Sequence, residues 1–194
     1  MKICRYNDNR LGVVDGDEIV DVSSALGRLP TAIYPYPLGD ALIAALPSLL
    51  PVIADLATNG SRMPLSKVRF LSPVANPSKI IGAPSNYHKH IAEAGADKEI
   101  SAGRPRMTIA EAGLFLKANS SLVGTSEGVA LRFPERRTDH ELELCAIIGK
   151  TCNEVPEEDA LGVVAGYAIG LDMVVRGPEE RSLRKSVDTF SVLG

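Results

Sequence analysis

The segment that most constrains how this chain can fold runs from Thr138 to Lys150 and reads TDHELELCAIIGK. Successive side chains of a β-strand point to opposite faces, so a strand here has one apolar face and one acidic face. The apolar face carries Leu142, Leu144, Ala146 and Ile148, and the acidic face carries Asp139, Glu141 and Glu143. We expect the apolar face to lie in the core of the protein.

Neighbouring carboxylates on one face repel each other, so the acidic face allows two interpretations. Either water solvates the acids of a half-buried antiparallel strand, or a cation is coordinated by them. The segment from Val163 to Val175 bears on this choice because it is almost continuously apolar and contains one charge, Asp172. An unpaired carboxylate in a buried strand is costly, so we interpret Asp172 as a partner of Glu141 and Glu143. Three hard oxygen ligands without a cluster of Cys or His suit Mg²⁺ or Mn²⁺, with Ca²⁺ possible, rather than zinc.

Composition excludes several classes of protein. With 194 residues the chain can form one core, or a small domain beside a larger one. Its 21 basic and 24 acidic residues nearly balance, so we expect no nucleic-acid partner. We expect no apolar stretch of membrane-spanning length and no signal peptide at Met1-Lys2-Ile3-Cys4. The three cysteines, Cys4, Cys145 and Cys152, lack the spacing of a metal site, which favours a reducing, cytoplasmic location.

The first 64 residues have the pattern of a small domain of their own. Short strands are predicted at residues 2–6, 11–14 and 18–22, with a hairpin turn at Asp15-Gly16. Residues 27–39 are rich in proline and read as a loop. A helical period follows to Leu56, and we expect Pro47 and Pro51 to divide it into two short helices. The polar segment 58–64 is the predicted boundary between domain 1–64 and domain 65–194.

Four motifs, in this order, resemble those of the fumarylacetoacetate hydrolase family. The resemblance covers roughly residues 68–194 and is to the bacterial acylpyruvase and 2-hydroxyhepta-2,4-diene-1,7-dioate isomerase type. The motifs are Lys79-Ile80-Ile81-Gly82 with Asn86-Tyr87-x-x-His90-x-x-Glu93, then Glu141-x-Glu143-Leu144 with Gly149-Lys150, then Ala165-Gly166-Tyr167 leading to Asp172, and Lys185-Ser186-x-Asp188-Thr189-Phe190.

The resemblance implies a fold and an activity. The implied fold is α+β and mostly β, a mixed β-roll like that of the family, with a small N-terminal β/α domain. The implied activity is that of a metal-dependent hydrolase that cleaves a carbon–carbon bond in a 2-oxo or 1,3-diketo acid during aromatic catabolism. The implied assembly is a homodimer. Family members on the same metal site also include isomerases, decarboxylases, hydratases and ureidoglycolate-type lyases, and all of these remain open.

The resemblance also assigns roles to single residues. His90 and Glu93 are predicted to share one face of a short helix after Pro84, where the carboxylate would raise the basicity of the imidazole. The resemblance implies that this pair is the catalytic dyad and that Lys185 is a catalytic lysine of the pocket. The predicted substrate-binding residues are Lys117, Ser120, Tyr167 and Arg176. Residues 96–107 could form a lid over an anionic substrate or a solvated linker.

The mechanistic hypothesis joins these parts. Two oxygens of a diketo acid would chelate the cation, which acts as a Lewis acid. His90, oriented by Glu93, would take a proton from water, and the water would attack the distal carbonyl. The metal and Lys185 would stabilise the enolate that cleavage leaves.

The family resemblance includes one departure. Family members continue beyond the motif that ends at Phe190, whereas this sequence stops at Gly194. We therefore expect an incomplete pocket, an inactive and poorly soluble protein from residues 1–194 alone, and a soluble, active homodimer from a longer version. A non-catalytic domain that binds a metal or another subunit is the alternative.

Overall fold

The computed structural model describes residues 1–84, 86, 87 and 108–194. The described residues form eleven strands, three α-helices and four 3₁₀ turns. The strands are β1 Ile3–Tyr6, β2 Arg10–Asp15, β3 Glu18–Asp21, β4 Arg62–Pro64, β5 Phe70–Leu71, β6 Ile80–Gly82, β7 Phe115–Lys117, β8 Leu122–Gly124, β9 Thr138–Ile148, β10 Val164–Val175 and β11 Ser191–Leu193. The helices are α1 Ala41–Asn59, α2 Ile109–Ala112 and α3 Arg181–Lys185, and the 3₁₀ turns are Ser23–Arg28, Leu65–Lys67, Asn119–Ser121 and Glu157–Val163. The predicted α+β, mostly β class is confirmed.

The first sheet has five antiparallel strands in the order β4-β3-β2-β1-β5. The predicted hairpin is present between β2 and β3, where Gly16 has a positive φ of 58° that glycine adopts without strain. Strand β5 lies beyond the predicted domain boundary at residue 64 and yet pairs with β1. The boundary itself stays a prediction.

One continuous helix, α1, replaces the two short helices that were expected. Pro47 and Pro51 both lie inside its 19 residues, so the prediction of a break was wrong. Asp40 caps the first turn by accepting hydrogen bonds from the backbone N–H groups of residues 42 and 43. The helix continues past both prolines because Leu42, Leu49 and Ile53 are buried in a cluster with the first sheet, which offsets the lost backbone hydrogen bonds.

Helix α1 is also long and apolar enough to cross a membrane by length and composition alone, with a mean hydropathy of 1.8. The expectation that no apolar stretch reaches this length was therefore wrong. A core helix that is mostly buried passes the same test; in α1, 17% of the apolar window is buried, and its buried residues pack against Leu11 and Val22. The absence of a membrane partner stays a prediction.

The second sheet positions the acidic residues and has the order β8-β11-β10-β9. Strands β9 and β10 pair antiparallel over almost their whole length, with Glu141 opposite Asp172 and Glu143 opposite Gly170. Strand β11 pairs antiparallel with β10 and parallel with β8. A separate ribbon joins β6 and β7, with Ile80 opposite Lys117. The core beside this sheet includes Met173, Val175 and Phe190.

The apolar face of β9 is not in the core, which corrects the expectation from its sequence. Leu142, Leu144 and Ile148 are 67%, 62% and 53% exposed, whereas Glu141 and Glu143 are half-buried. Tyr167 and Ile169 of β10 extend the same exposed face. A period of two identifies which side chains share a face, but the elements that pack on the sheet decide which face is covered.

Candidate metal centre

Three carboxylates meet on the inner face of β9 and β10. One ligand oxygen from each of Glu141, Glu143 and Asp172 lies within 4.8 Å of the others. Glu141 and Asp172 are direct cross-strand neighbours, and Glu143 lies opposite Gly170. All three residues are half-buried, so water screens their mutual repulsion only in part.

Two buried lysines partly neutralise this group. Lys117 at the end of β7 donates hydrogen bonds to Asp172 and, over 2.7 Å, to the carbonyl oxygen of Phe190. Lys185 at the end of α3 donates to both Glu141 and Asp172. The side chains of Lys117 and Lys185 are only 4% and 7% exposed. Burial lowers the pKa of Lys117, and the charge of Asp172 opposes this change.

Two arginines and a fourth acid stand beside the group. Arg176, which directly follows β10, donates from Nε to Asp139 over 2.8 Å and from Nη2 to Glu141 over 3.0 Å. Arg137 donates from Nε to the other oxygen of Asp139 over 2.9 Å. Burial raises the pKa of Asp139, but the hydrogen bonds from Arg137 and Arg176 outweigh this effect and hold it below its usual value.

The pKa of Glu143 lies above the usual value for a glutamate. Its pKa is raised first by burial and then by the negative charges of Asp172 and Glu141. Lys185 and a hydrogen bond with the Tyr87 hydroxyl act in the opposite direction. The Tyr87 oxygen also accepts a hydrogen bond of 3.2 Å from the backbone N–H of Leu144. A divalent cation at this place would remove the cause of the electrostatic shift.

A cavity of about 870 Å³ opens onto these residues. Lys117, Glu143, Asp172 and Tyr87 line it on one side, and Asp40 and Ile43 from the start of α1 line another part. Its volume is in the range of pockets that bind small molecules. Polar groups with this geometry can bind an anionic ligand beside a cation.

Comparison with known families identifies the same part of the chain. Residues 79–194, which carry all three clustered acids, match the family described as "Fumarylacetoacetate (FAA) hydrolase C-terminal". The chain belongs to the fumarylacetoacetate hydrolase family. The family resemblance and the fold expected from the sequence are thereby confirmed.

Several hydrolases and one tautomerase are similar to this chain in sequence. The maleylpyruvate hydrolase of Aquipseudomonas alcaligenes is 57% identical over 196 residues, which are 100% of this chain and 68% of that protein. The mitochondrial oxaloacetate tautomerase of Xenopus laevis is 29% identical, and the match covers 95% of this chain and 55% of that protein. A solved structure of maleylpyruvate hydrolase from Sphingobium sp. SYK-6, in complex with manganese(II) and pyruvate, is 39% identical with a TM-score of 0.76. That match covers 100% of this chain and 65% of the other, so the chain spans about two thirds of these hydrolases.

The donor set fits a hard divalent cation. Glu141, Glu143 and Asp172 offer carboxylate oxygens only, and they lie close enough to share one ion. Oxygen ligands of this kind suit Mg²⁺ and Mn²⁺. The sequence had singled out these three residues as ligands, and the structure brings them together.

Some of the other residues predicted for the fumarylacetoacetate hydrolase site contact the clustered acids, and others lie away from them. Lys117 and Lys185 contact the acids directly. Arg176, predicted to bind substrate, instead has its guanidinium engaged by Asp139 and Glu141. The structure does not bring Tyr167 or Ser120 into this group. Tyr167 is exposed on the opposite face of β10. It lies an odd number of residues from Asp172, and successive side chains of a strand point to opposite faces.

Ser120 is exposed in the turn before β8, whereas its neighbour Ser121 is buried and shares a 2.7 Å hydrogen bond with Ser191. The predicted dyad of His90 and Glu93, its helix and the proposed lid at 96–107 lie outside the described residues. Their roles stay predictions.

Three residues of the site, Asp139, Arg137 and Tyr87, were not assigned a role from the sequence. Asp139 was placed on the acidic face of β9 but was not given a partner, and only the fold brings Arg176 to it. Tyr87 stood next to Asn86 in a family motif, which was the available signal, and its contact with Glu143 crosses more than fifty residues of chain.

Proposed function

We propose that this protein is a metal-dependent hydrolase that cleaves a carbon–carbon bond in a 2-oxo or 1,3-diketo acid such as an acylpyruvate, maleylpyruvate or fumarylpyruvate. The observation that carries the proposal is the group of Glu141, Glu143 and Asp172 in a chain 57% identical to a maleylpyruvate hydrolase. The related Sphingobium structure is a complex with manganese(II) and pyruvate. It supports a divalent cation as the metal and a 2-oxo acid as a product.

Glu141, Glu143 and Asp172 would hold Mg²⁺ or Mn²⁺, with Ca²⁺ as a further candidate. When bound, such an ion supplies Lewis-acid polarisation of a carbonyl oxygen. Lys117 and Lys185 place two ammonium groups beside the same carboxylates. Positive charge fixed in a partly buried site stabilises negative charge that develops on the substrate.

The proton transfers are assigned to the predicted dyad. His90, with Glu93 as its partner, takes a proton from a water molecule whose oxygen bonds to the distal carbonyl carbon. The carbon–carbon bond then breaks, and its electron pair goes to the 2-oxo acid fragment, beside Lys185. Return of the proton from His90 to that fragment yields the 2-oxo acid, and the remainder of the substrate leaves as a carboxylic acid.

The metal centre is tested by thermal unfolding with and without MnCl₂. Bound metal stabilises the folded state by mass action, so Mn²⁺ should raise the Tm of the wild-type protein. Glu143→Gln should abolish this rise, and Glu157→Gln, at an exposed turn, should preserve it. An equal rise in Glu143→Gln would mean that the acids form only a solvated face.

The reaction is tested by NMR analysis of products. Maleylpyruvate, fumarylpyruvate, other acylpyruvates, oxaloacetate and ureidoglycolate are each incubated with the protein and Mg²⁺. We expect pyruvate from the acylpyruvates, and we expect His90→Ala to lose turnover while it keeps the Mn²⁺-dependent rise in Tm. Undiminished turnover in His90→Ala would contradict the assignment of the base.

A tautomerase is the second candidate function, because one relative in the family is an oxaloacetate tautomerase. The two reactions differ in whether a carbon–carbon bond breaks. Loss of the enol absorbance of oxaloacetate without any new acid in the NMR spectrum would favour the tautomerase over the hydrolase.

We also propose that the protein is a cytoplasmic homodimer. The thiols of Cys4, Cys145 and Cys152 are free, which agrees with a reducing location. The exposed apolar face of β9 and β10 supports self-association, because monomers rarely leave large contiguous apolar patches in water. No nucleic-acid partner is proposed, given the near balance of charge.

A further inference from the structure

Asp139 lies on the inner face of β9, two residues before Glu141, but it does not belong to the cluster of possible metal ligands. Both of its oxygens are engaged by guanidinium groups. Oδ2 accepts a 2.8 Å hydrogen bond from Nε of Arg176, and Oδ1 accepts a 2.9 Å bond from Nε of Arg137. Asp139 therefore acts on arginines rather than on the cation.

Arg176 connects Asp139 to a metal ligand. Its Nε faces Asp139, and its Nη2 donates over 3.0 Å to Oε1 of Glu141. The side chain is 10% exposed, and its backbone N–H donates over 2.9 Å to the carbonyl of Arg137. Because a guanidinium is planar and rigid, an acid that fixes one edge also fixes the direction of the other.

Glu141 is thereby held at both of its oxygens. Oε1 accepts from Arg176, and Oε2 accepts from Lys185. A carboxylate held in this way loses little conformational freedom when it coordinates an ion, whereas a mobile one must be ordered at that moment. Partners behind the ligands of metal sites typically change metal affinity by about 10–100-fold when they are removed.

We propose that Asp139 is a positioning residue of the metal centre, which holds Arg176 so that Arg176 orients Glu141. The inference rests on the proposed function, since it assumes that Glu141, Glu143 and Asp172 bind the ion. It assigns Arg176 a role in arranging the site, in place of the contact with substrate expected from the sequence.

The test is a titration of purified protein with MnCl₂, followed by the EPR signal of free Mn²⁺. Asp139→Asn keeps the shape and one acceptor oxygen but removes the charge, and we expect it to raise the Kd for Mn²⁺ by about 10-fold or more. Arg176→Lys keeps the positive charge but loses the planar fork, so its Kd should rise similarly. Asp15→Asn, at an exposed acid of the first sheet that makes a 2.8 Å ion pair with Arg62, is the matched control and should bind as the wild type does.

The double variant Asp139→Asn/Arg176→Lys separates positioning from direct coordination. If Asp139 acts through Arg176, the double variant should bind Mn²⁺ no more weakly than the weaker single variant. If the two effects multiply, Asp139 acts on metal binding independently of Arg176, and this result overturns the proposal. At saturating Mn²⁺ the kcat of Asp139→Asn should return to within about three-fold of the wild-type value, because the ligands are intact.

The outcomes also distinguish this inference from the proposed function. Wild-type protein that binds no Mn²⁺ would overturn the proposed metal centre and the inference with it. Wild-type protein that binds Mn²⁺, beside an Asp139→Asn variant of equal affinity, would overturn the positioning role alone. If Asp139→Asn does not fold by circular dichroism, an unchanged Kd for Arg176→Lys gives the same negative answer.

Discussion

Lys185 bridges two of the clustered acids, Glu141 and Asp172. It lies 44 residues from Glu141 and 13 from Asp172 along the chain, and it bonds to both carboxylates. Its ammonium group therefore stands between acids that would otherwise repel each other. A divalent ion bound between the same acids would also reduce their repulsion, with two positive charges instead of one.

Replacement of this cation should destabilise the metal-free protein and leave the metal-bound protein less affected. We expect Lys185→Met to lower the free energy of unfolding without metal by roughly 1–3 kcal/mol, because one oxygen of Glu141 and one of Asp172 lose the hydrogen bond from Lys185. The rise in Tm on addition of Mn²⁺ should be larger than in the wild type. Urea unfolding with and without MnCl₂ measures both effects, with the exposed Lys67→Met as control. A smaller metal-dependent rise in Lys185→Met would contradict this account.

The buried phenol of Tyr6 links stability to alkaline pH. Its hydroxyl donates a 2.6 Å hydrogen bond to Asp21, and burial, followed by this bond, raises its pKa to about 12. The unfolded chain releases this proton near pH 10, so the contribution to stability is fully present below pH 10 and is lost as the pH rises to about 12. Tyr6→Phe should remove this part of the pH dependence, and urea unfolding at pH 8–11.5 measures the difference between the two proteins. If the free energy of unfolding changes with pH in the same way in both proteins, the assignment of this pH dependence to Tyr6 is wrong.

At the scale of elements, the pair β9 and β10 supplies the acids, while the remaining elements bring the cations to them. Strand β7 delivers Lys117, and helix α3 delivers Lys185. The close approach of β8 to β5, which belongs to the first sheet, locates the β8–β11–β10 array beside the N-terminal sheet. The site therefore depends on contacts between elements that are distant in sequence.

Gly124 permits the approach of β8 to β5. A Cβ atom at this position would overlap the backbone of Leu71 and Ser72. Because backbone atoms cannot move aside cheaply, Gly124→Ala should lower the free energy of unfolding by about 1–3 kcal/mol, as overpacking commonly does. Gly162→Ala, where a Cβ meets no atom within 4 Å, is the control and should be nearly neutral. Chemical denaturation of both variants provides the comparison, and equal stabilities would argue against the close contact.

At the scale of the whole molecule, the exposed apolar face of β9 and β10 predicts that two copies of the chain associate. If this face joins two copies, the wild-type protein should have twice the mass of one chain in solution. Leu144→Lys with Ile169→Lys places charges on the face and should yield monomers, whereas Ile33→Lys, at an exposed apolar residue outside both strands, should not. Light scattering after size-exclusion chromatography reports the masses. A monomeric wild-type protein would mean that copies of this chain do not cover the face.

The sequence by itself determined the features that follow from local backbone geometry. The alternation of β9 placed Glu141 and Glu143 on one face, and the lone charge of β10 identified Asp172 as their partner. Turn chemistry located the hairpin at Gly16 for the same reason, since these patterns depend only on residues close in the chain.

Tertiary structure alone decided which face of β9 is covered, that α1 continues through Pro47 and Pro51, and which cations meet the acids. Lys117 reaches Asp172 across 55 residues, and Arg176 reaches Asp139 across 37. Such pairings are set by the packing of whole elements, in which burial of apolar side chains outweighs local preferences. No period in the sequence encodes them.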